Sequence, residues 1–333
     1  MPVQNINGYT PLTDAIAYID ANNDGYTDVF VATGSYLLEG EIISELFLNN
    51  TSNQFSYNNG PFNGDVVPAT HARKTIVADF NGDSLLDMFI ADHGYDASPF
   101  PGNNPKLIIQ DNAGSFSWTR MTDQTGFHHT ATAADIDNNG TIDVFVGGHS
   151  PFFYINDGNA NFTFNDSLFP SRTVYSSELI DVDQDGYVDL LIGAHEFDGA
   201  ATVIYWGSSG GSFTDANSTT LTSVDSYGTV LDFEAEDLDG DGDKDVVVTR
   251  TGGGNSNFYQ GVYIQLLVNN GSRAFTDATT QINDNGTASD SWFPWLRAQD
   301  LDDDGDIDLF SDDIDDNFLL VNDGSGNFTR STL

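Results

Sequence analysis

The sequence predicts an all-β fold, a β-propeller of four-stranded blades, on three observations. A nine-residue acidic motif recurs six times, each copy is followed by the same succession of short apolar runs, and the copies are spaced as propeller blades are. The copies lie at 20–28, 79–87, 135–143, 181–189, 237–245 and 300–308, with starts 59, 56, 46, 56 and 63 residues apart.

The last copy shows the chemistry most fully. Asp300, Asp302 and Asp304 stand at positions 1, 3 and 5, Gly305 at 6 and Asp308 at 9, with Asp306 at 7 offering its carbonyl. Crowding carboxylates in this way costs free energy unless a cation sits among them, and an all-oxygen set in a flexible loop suits Ca²⁺, which takes about 6–8 oxygens. No Glu follows at position 12 and no helix flanks the loop, so this is not the twelve-residue helix–loop–helix site. The same positions are filled by Asp20, Asn22, Asp24, Tyr26 and Asp28 in the first copy and by Asp79, Asn81, Asp83, Leu85 and Asp87 in the second, where Ser84 replaces the glycine. They are filled by Asp135, Asp137, Asn139, Thr141 and Asp143 in the third, and by Asp181, Asp183, Asp185, Tyr187 and Asp189 in the fourth. Asp237, Asp239, Asp241, Asp243 and Asp245 complete the series in the fifth. Up to six structural Ca²⁺ ions are therefore expected. Copies four to six, with the most ligand carboxylates, should bind most tightly.

Each copy defines a blade. A small-residue alternating segment precedes it, such as Ala15–Tyr18 or Thr130–Ala133, and an apolar run follows, such as Val29–Val31, Val144–Val146 or Val246–Val248. A third run comes next (Leu46–Leu48, Leu107–Ile109, Phe152–Ile155, Val203–Trp206, Gln265–Val268, Phe318–Val321), and a polar turn leads to an aromatic opening a fourth strand: Phe55, Phe116, Phe162, Phe213, Phe275 and Phe328. Nineteen residues precede Asp20 and five follow Phe328, together one interblade connection of the usual length, 19 to 25. The chain is thus expected to be a single domain, 1–333, closing after six blades with the termini meeting near one fourth strand. Seven blades is the alternative, but a seventh would need roughly 45 more residues.

Composition bounds the function. A formal charge of −41 argues against nucleic acid or an anionic membrane as partner. The 24 Phe and 13 Tyr argue against a structureless acidic chain. There is no cysteine and no apolar run long enough to insert into a membrane. Calcium sites of modest affinity stay filled at extracellular calcium levels, so an extracellular or cell-surface location is expected, with any leader lying outside this sequence. A monomer is expected unless the chain is part of a larger one.

The motif D-x-[DN]-x-[DN]-[GS]-x-x-D, six times in register with its trailing strands, resembles the FG-GAP/VCBS repeat family, which includes the propeller of integrin α subunits and certain fungal lectins. The resemblance covers nearly the whole chain. It implies a calcium ion in each loop between the first and second strands of a blade, and extracellular binding or adhesion, sometimes as an appendage of carbohydrate-active enzymes. Well-known members have seven blades, from which the six counted here depart.

Blade topology separates the acidic loops from the connections on the opposite rim, which vary in length: Gly34–Glu45 and His93–Lys106 against three residues at His149–Pro151. Loops held on a rigid scaffold are where binding residues tend to sit. All six histidines fall there. His93, His149 and His195 each lie six residues beyond Asp87, Asp143 and Asp189, while His71, His128 and His129 enter from the interblade connections. Arg73, Lys74, Lys106, Arg172, Arg250 and Arg297 concentrate scarce positive charge on that rim, and Tyr95, Phe100, Phe197, Trp292, Phe293 and Trp295 offer aromatic surface. The candidate ligand-binding residues are His71, Arg73, His93, His128, His129, His149, His195, Arg250, Trp292 and Trp295. The bland reading makes the histidines hydrogen-bonding strand caps copied with the repeat. The functional reading is a binding or adhesion site for carbohydrate or an extracellular protein. A polysaccharide lyase, with a histidine abstracting a proton alpha to a uronate carboxylate, is the enzyme alternative. An accessory domain of a carbohydrate-active enzyme and a purely structural spacer are the others. No Ser/His/Asp signature, phosphate loop or HExxH motif is present, and no catalytic residue is assigned.

Overall fold

A computed structural model describes residues 15–32, 34, 39–50, 54–252, 259–293, 295–311 and 318–331. The protein is an all-β, six-bladed β-propeller with four-stranded blades. Among the described residues there is no α-helix, only four single-turn 3₁₀ segments. The expected meeting of the termini falls on residues 1–14 and 332–333, outside the described residues, as does part of the Gly34–Glu45 connection. The chain divides into two compact units, Met1–Asp135 with Asn139–Arg172, and Ile136–Asn138 with Thr173–Leu333.

The first unit carries three blades: Ile16–Ile19, Asp28–Val31, Glu45–Asn49 and Phe55–Tyr57; Ala72–Ala78, Asp87–Asp92, Lys106–Gln110 and Phe116–Arg120; and His128–Ala134, Asp143–Gly148, Phe152–Asn156 and Phe162–Asn165. Neighbouring strands pair antiparallel within each blade. Every residue of each second strand is buried. Both faces of that strand are covered, so its sequence reads as a continuous apolar run (Asp-Val-Phe-Val, Asp-Met-Phe-Ile) instead of alternating. Phe30, Phe89 and Phe145 at its centre have no exposed surface, and each contributes about 1.5–3 kcal/mol through burial.

The second unit carries Ser176–Ile180, Asp189–Gly193, Val203–Tyr205 and Ser218–Thr220; Thr229–Glu236, Asp245–Gly252, Gln260–Asn269 and Phe275–Asp277; and Leu296–Gln299, Asp308–Ser311, Leu319–Asn322 and Phe328–Ser331. The last blade gains a short fifth strand, Ile282–Asn283, parallel to Phe328–Ser331. One expected fourth strand is corrected. In the fourth blade Phe213 is a buried residue ahead of the 3₁₀ turn Asp215–Asn217, and the strand itself is Ser218–Thr220. The turn shifts the edge by five residues. Asn217 then takes over the hydrogen bonding, receiving the Trp206 N–H on its carbonyl and donating its amide to the Trp206 carbonyl.

Candidate functional site: acidic loops and the histidine–aromatic rim

The acidic loops join first and second strands, as the repeat arithmetic requires. Their ninth residue is the most deeply placed. Asp28, Asp87, Asp143, Asp189 and Asp245 are fully buried, and Asp308 nearly so. In Asp28, Asp87, Asp189, Asp245 and Asp308 one oxygen accepts the N–H of loop position 2 and the other accepts an N–H at or just beyond the end of the third strand, and Asp143 accepts Asn156 N at 2.8 Å. Asp87 takes Phe80 N at 3.0 Å and Gln110 N at 2.9 Å, Asp189 takes Val182 N at 2.8 Å and Gly207 N at 2.7 Å, and Asp308 takes Leu301 N at 3.1 Å and Asn322 N at 2.9 Å. Burial, opposed by these hydrogen bonds and assisted by neighbouring carboxylates, pushes Asp87 and Asp245 up to about 6 and Asp189 up to about 7.

The third-strand residue completes a staple that the sequence reading did not single out. Gln110, Asn156 and Asn322 send a side-chain amide to a backbone carbonyl of the preceding blade's loop: Asp20 at 2.8 Å, Phe80 at 2.8 Å and Leu238 at 2.9 Å. The signal was present as an amide residue ending the third apolar run (Asn49, Gln110, Asn156, Asn269, Asn322), with Gly207 the exception.

The donor sets are all oxygen, which fits a hard cation. In the second unit, ligand atoms of Asp181, Asp183 and Asp189 lie within 4.8 Å of one another, as do those of Asp237, Asp239 and Asp241 and those of Asp300, Asp302 and Asp304. The fourth loop holds a stand-in cation. The Arg273 guanidinium pairs with Asp183 through Nε and with Asp185 through Nη2 at 2.9 Å, while lying over the Trp206 ring. These carboxylates are thus already arranged to share one positive charge. In the first unit Asn22 and Asn81 each donate their amide to the position-5 carboxylate, Asp24 at 3.0 Å and Asp83 at 3.1 Å, so these loops are partly self-satisfied. Ser84 is held at φ +70, a left-handed conformation that costs a non-glycine residue about 1–2 kcal/mol. The boundary between the units runs through the third loop. On its first-unit side Asp135 accepts Asn139 N at 3.0 Å and Gly140 N at 2.7 Å, and Asp137 falls in the second unit. Among the described residues, the second-unit clusters bring three carboxylates close enough to share an ion, whereas Asp20, Asp24 and Asp28 and Asp79, Asp83 and Asp87 are not gathered in this way. Tyr26, Leu85, Thr141 and Tyr187 occupy position 7 in loops one to four, where the backbone carbonyl is the expected donor and the Thr141 hydroxyl is already bonded to Asn139 and Asn156.

At the other ends of the strands, the first unit gathers its histidines. His71 and His93 pack edge to face with ring centroids 5.0 Å apart, and His93 and His129 do so at 4.5 Å. Phe127 lies 4.4 Å from His93 and 6.0 Å from His149, with the exposed Phe100 a further 5.9 Å from Phe127. Strand irregularities create this gathering. The register shifts between Ala72 and Lys74 and between His128 and Thr130, making Arg73 and His129 the extra residues of two bulges, which re-aim their side chains. Burial, with Arg73 and His93 alongside, pushes His71 down to about 2, and burial pushes His93 down to about 4, so both are neutral at pH 7. His128 points elsewhere. It is buried against Phe152 and is held down to about 4 by burial.

Beneath the cluster sits a buried carboxylate, Asp92, which accepts the N–H groups of Thr70 and His71 at 2.9 Å each, that of Gly94 at 3.1 Å and the Asn103 amide at 3.0 Å. It also pairs with Lys106, which is itself fully buried. Burial would raise Asp92, but Lys106 and the N–H donors outweigh it and hold the carboxyl below its usual range. Lys106 is therefore not a surface cation of the rim. Gly94, at φ +79, lies so close to Gly102 that an added Cβ would sit 2.3 Å from its carbonyl carbon, which fixes the 93–105 connection against itself.

In the second unit His195 is sandwiched: Tyr175 stacks on it at 4.2 Å and 28°, and Phe197, exposed on its outer side, at 4.9 Å and 22°. Tyr259 and Trp292 form another stacked pair, 4.6 Å apart at 25°. Two candidates lie deeper than the sequence suggested. Trp295 is buried, and Arg250 is fully buried, paired with Glu196 at 2.9 Å and bonded to Gln265 at 2.8 Å. Arg250 therefore supports the 195–197 connection from beneath.

No curated protein matches the chain. Among solved structures, the V. cholerae biofilm matrix protein Bap1 is similar over 87% of this chain and 42% of that one, at 16% identity and a TM-score of 0.49. This chain therefore corresponds to less than half of Bap1's length. An Agrocybe aegerita lectin that recognises non-reducing terminal N-acetylglucosamine is similar over 89% of this chain and 90% of that one, at 16% identity and a TM-score of 0.39. The FG-GAP-like repeat matches residues 20–90, 79–146, 181–248 and 237–311, and with most of its length so matched the chain belongs to the FG-GAP-like repeat family.

Proposed function

We propose that the protein is an extracellular, calcium-stapled binding module for carbohydrate, with its ligand carried by the connections opposite the acidic loops. The observation that carries this reading is the Tyr175–His195–Phe197 stack, whose outermost ring is exposed. A flat apolar ring stacked on His195, which Tyr175 backs in turn, and underpinned by the buried Arg250–Glu196 pair, presents a face for a sugar ring at little entropic cost. Calcium, bound by the acidic loops, would neutralise their carboxylates and tie the first hairpin of each blade to its third strand. The chemistry is binding, with the His195 ring held by packing against Tyr175 and Phe197.

The test is a glycan array followed by calorimetry on the full chain in calcium, with Phe197→Ala as the variant. Saturable binding to a glycan class, weakened at least about tenfold by Phe197→Ala with unchanged melting temperature, supports the proposal. Binding indifferent to Phe197, recognition of protein ligands alone, or rising ultraviolet absorbance on uronate polysaccharides, the mark of a lyase, would each overturn it.

A further inference from the structure

The first unit's histidine cluster has a donor set unlike that of the acidic loops. In His93 the Nδ1 lies 3.3 Å from the Gly94 carbonyl, which can only accept, so Nδ1 carries the proton and Nε2 keeps its lone pair. That lone pair accepts the Nε2–H of His129, with the two Nε2 atoms 3.2 Å apart, a proton whose place a bound metal ion would take. An imidazole that donates one N–H to a backbone carbonyl and turns its other nitrogen inward is the usual arrangement of a metal-ligating histidine. Nitrogens bound at about 2.0–2.1 Å to one tetrahedral ion lie roughly 3.3 Å apart, close to the spacing seen here. One ligand atom each from His71, His93 and Asp96 also lies within 4.8 Å of the others, and Asp96 is exposed and able to close by side-chain rotation.

We propose that His71, His93 and Asp96 bind a divalent transition-metal ion of the zinc class, with the His129 ring beside His93 completing the set. Imidazoles with one carboxylate favour zinc, copper or nickel over calcium, whereas the acidic loops favour calcium. The ligands are prepositioned by main-chain anchors. Asp92 holds the N–H groups of His71 and Gly94, and the bulge at His129 turns that ring toward His93. Arg73, whose NH1 lies 3.5 Å from His71 Nε2, opposes a cation at this place, and the Asp96 carboxylate offsets it. The site is distinct from the proposed carbohydrate stack, which lies in the other unit.

The experiment titrates ZnCl₂ into the full chain in excess calcium by calorimetry and repeats the titration with Co²⁺, reading its visible absorption. The expected result is one zinc equivalent that calcium does not displace, with a Co²⁺ spectrum typical of nitrogen ligation. Asp96→Asn should weaken zinc at least tenfold, and His71→Gln with His93→Gln should abolish it. Equal zinc affinity in these variants, or zinc fully displaced by calcium, overturns the proposal. If the double variant loses its circular dichroism, Asp96→Asn decides alone, because its side chain is exposed.

Discussion

Lys106→Met tests whether the buried ion pair beneath the histidine cluster holds the 93–105 connection in place. Both Lys106 and Asp92 have no exposed surface, and the lysine also lies 3.6 Å from Glu41. Removing one partner of a buried pair costs about 3–5 kcal/mol, because the other charge is left without compensation. Asp92 keeps four further donors, from Thr70, His71, Gly94 and Asn103, which places the expected loss near the lower end, about 3 kcal/mol. Methionine retains most of the volume, so little of this loss comes from a cavity. The assay is urea unfolding of calcium-saturated protein at several pH values. In the wild type, Asp92 is held below its usual range, so its contribution is present at neutral pH and is lost only as pH falls through that lowered value. Without the lysine, burial raises the carboxyl, so the variant gains stability as it protonates. The penalty should therefore shrink on acidification. A loss below about 1 kcal/mol at pH 7, or one independent of pH, would mean that the Lys106–Asp92 pair does not hold this connection.

Two other outcomes are expected. Arg273→Gln frees Asp183 and Asp185 from their tethered cation, and because the guanidinium is one-third exposed the gain should be modest. One calcium site should tighten by roughly threefold to tenfold in a chelator-competition titration, while unchanged affinities would show that the arginine does not compete there. His128, held down to about 4 against an ordinary value near 6.5, stabilises the fold fully above that ordinary value and progressively less as pH falls toward 4. The loss is on the order of 3 kcal/mol, and unfolding curves of wild type and His128→Asn should converge between pH 7 and pH 4.

Much of the architecture was legible because the repeat states its own geometry. The carboxylate spacing marked the loops, and the uninterrupted apolar runs after each one marked the second strands, which are buried throughout in the first five blades. Phe213 misled because a 3₁₀ turn displaced the fourth strand while the aromatic kept its buried place. Lys106 and Arg250 looked like rim cations because their sequence positions are on the rim. Their depth depended on Asp92 and Glu196, 14 and 54 positions away, and such pairings carry no local signal. The histidine gathering was half visible: the equivalent positions of His93, His149 and His195 followed from the repeat. The bulges that bring His129 against His93 while His195 instead stacks between Tyr175 and Phe197 did not.

If the acidic loops are calcium staples, the fold depends on the ions they hold. Thermal unfolding of the full chain in saturating calcium and in excess chelator decides this. A site at a hundredfold excess over its dissociation constant adds about 2.7 kcal/mol, and three clustered loops in the second unit alone offer such sites. The melting temperature should be at least about 5 °C higher in calcium, with the chelated protein recovering on calcium addition. Equal melting temperatures in calcium and chelator would contradict it.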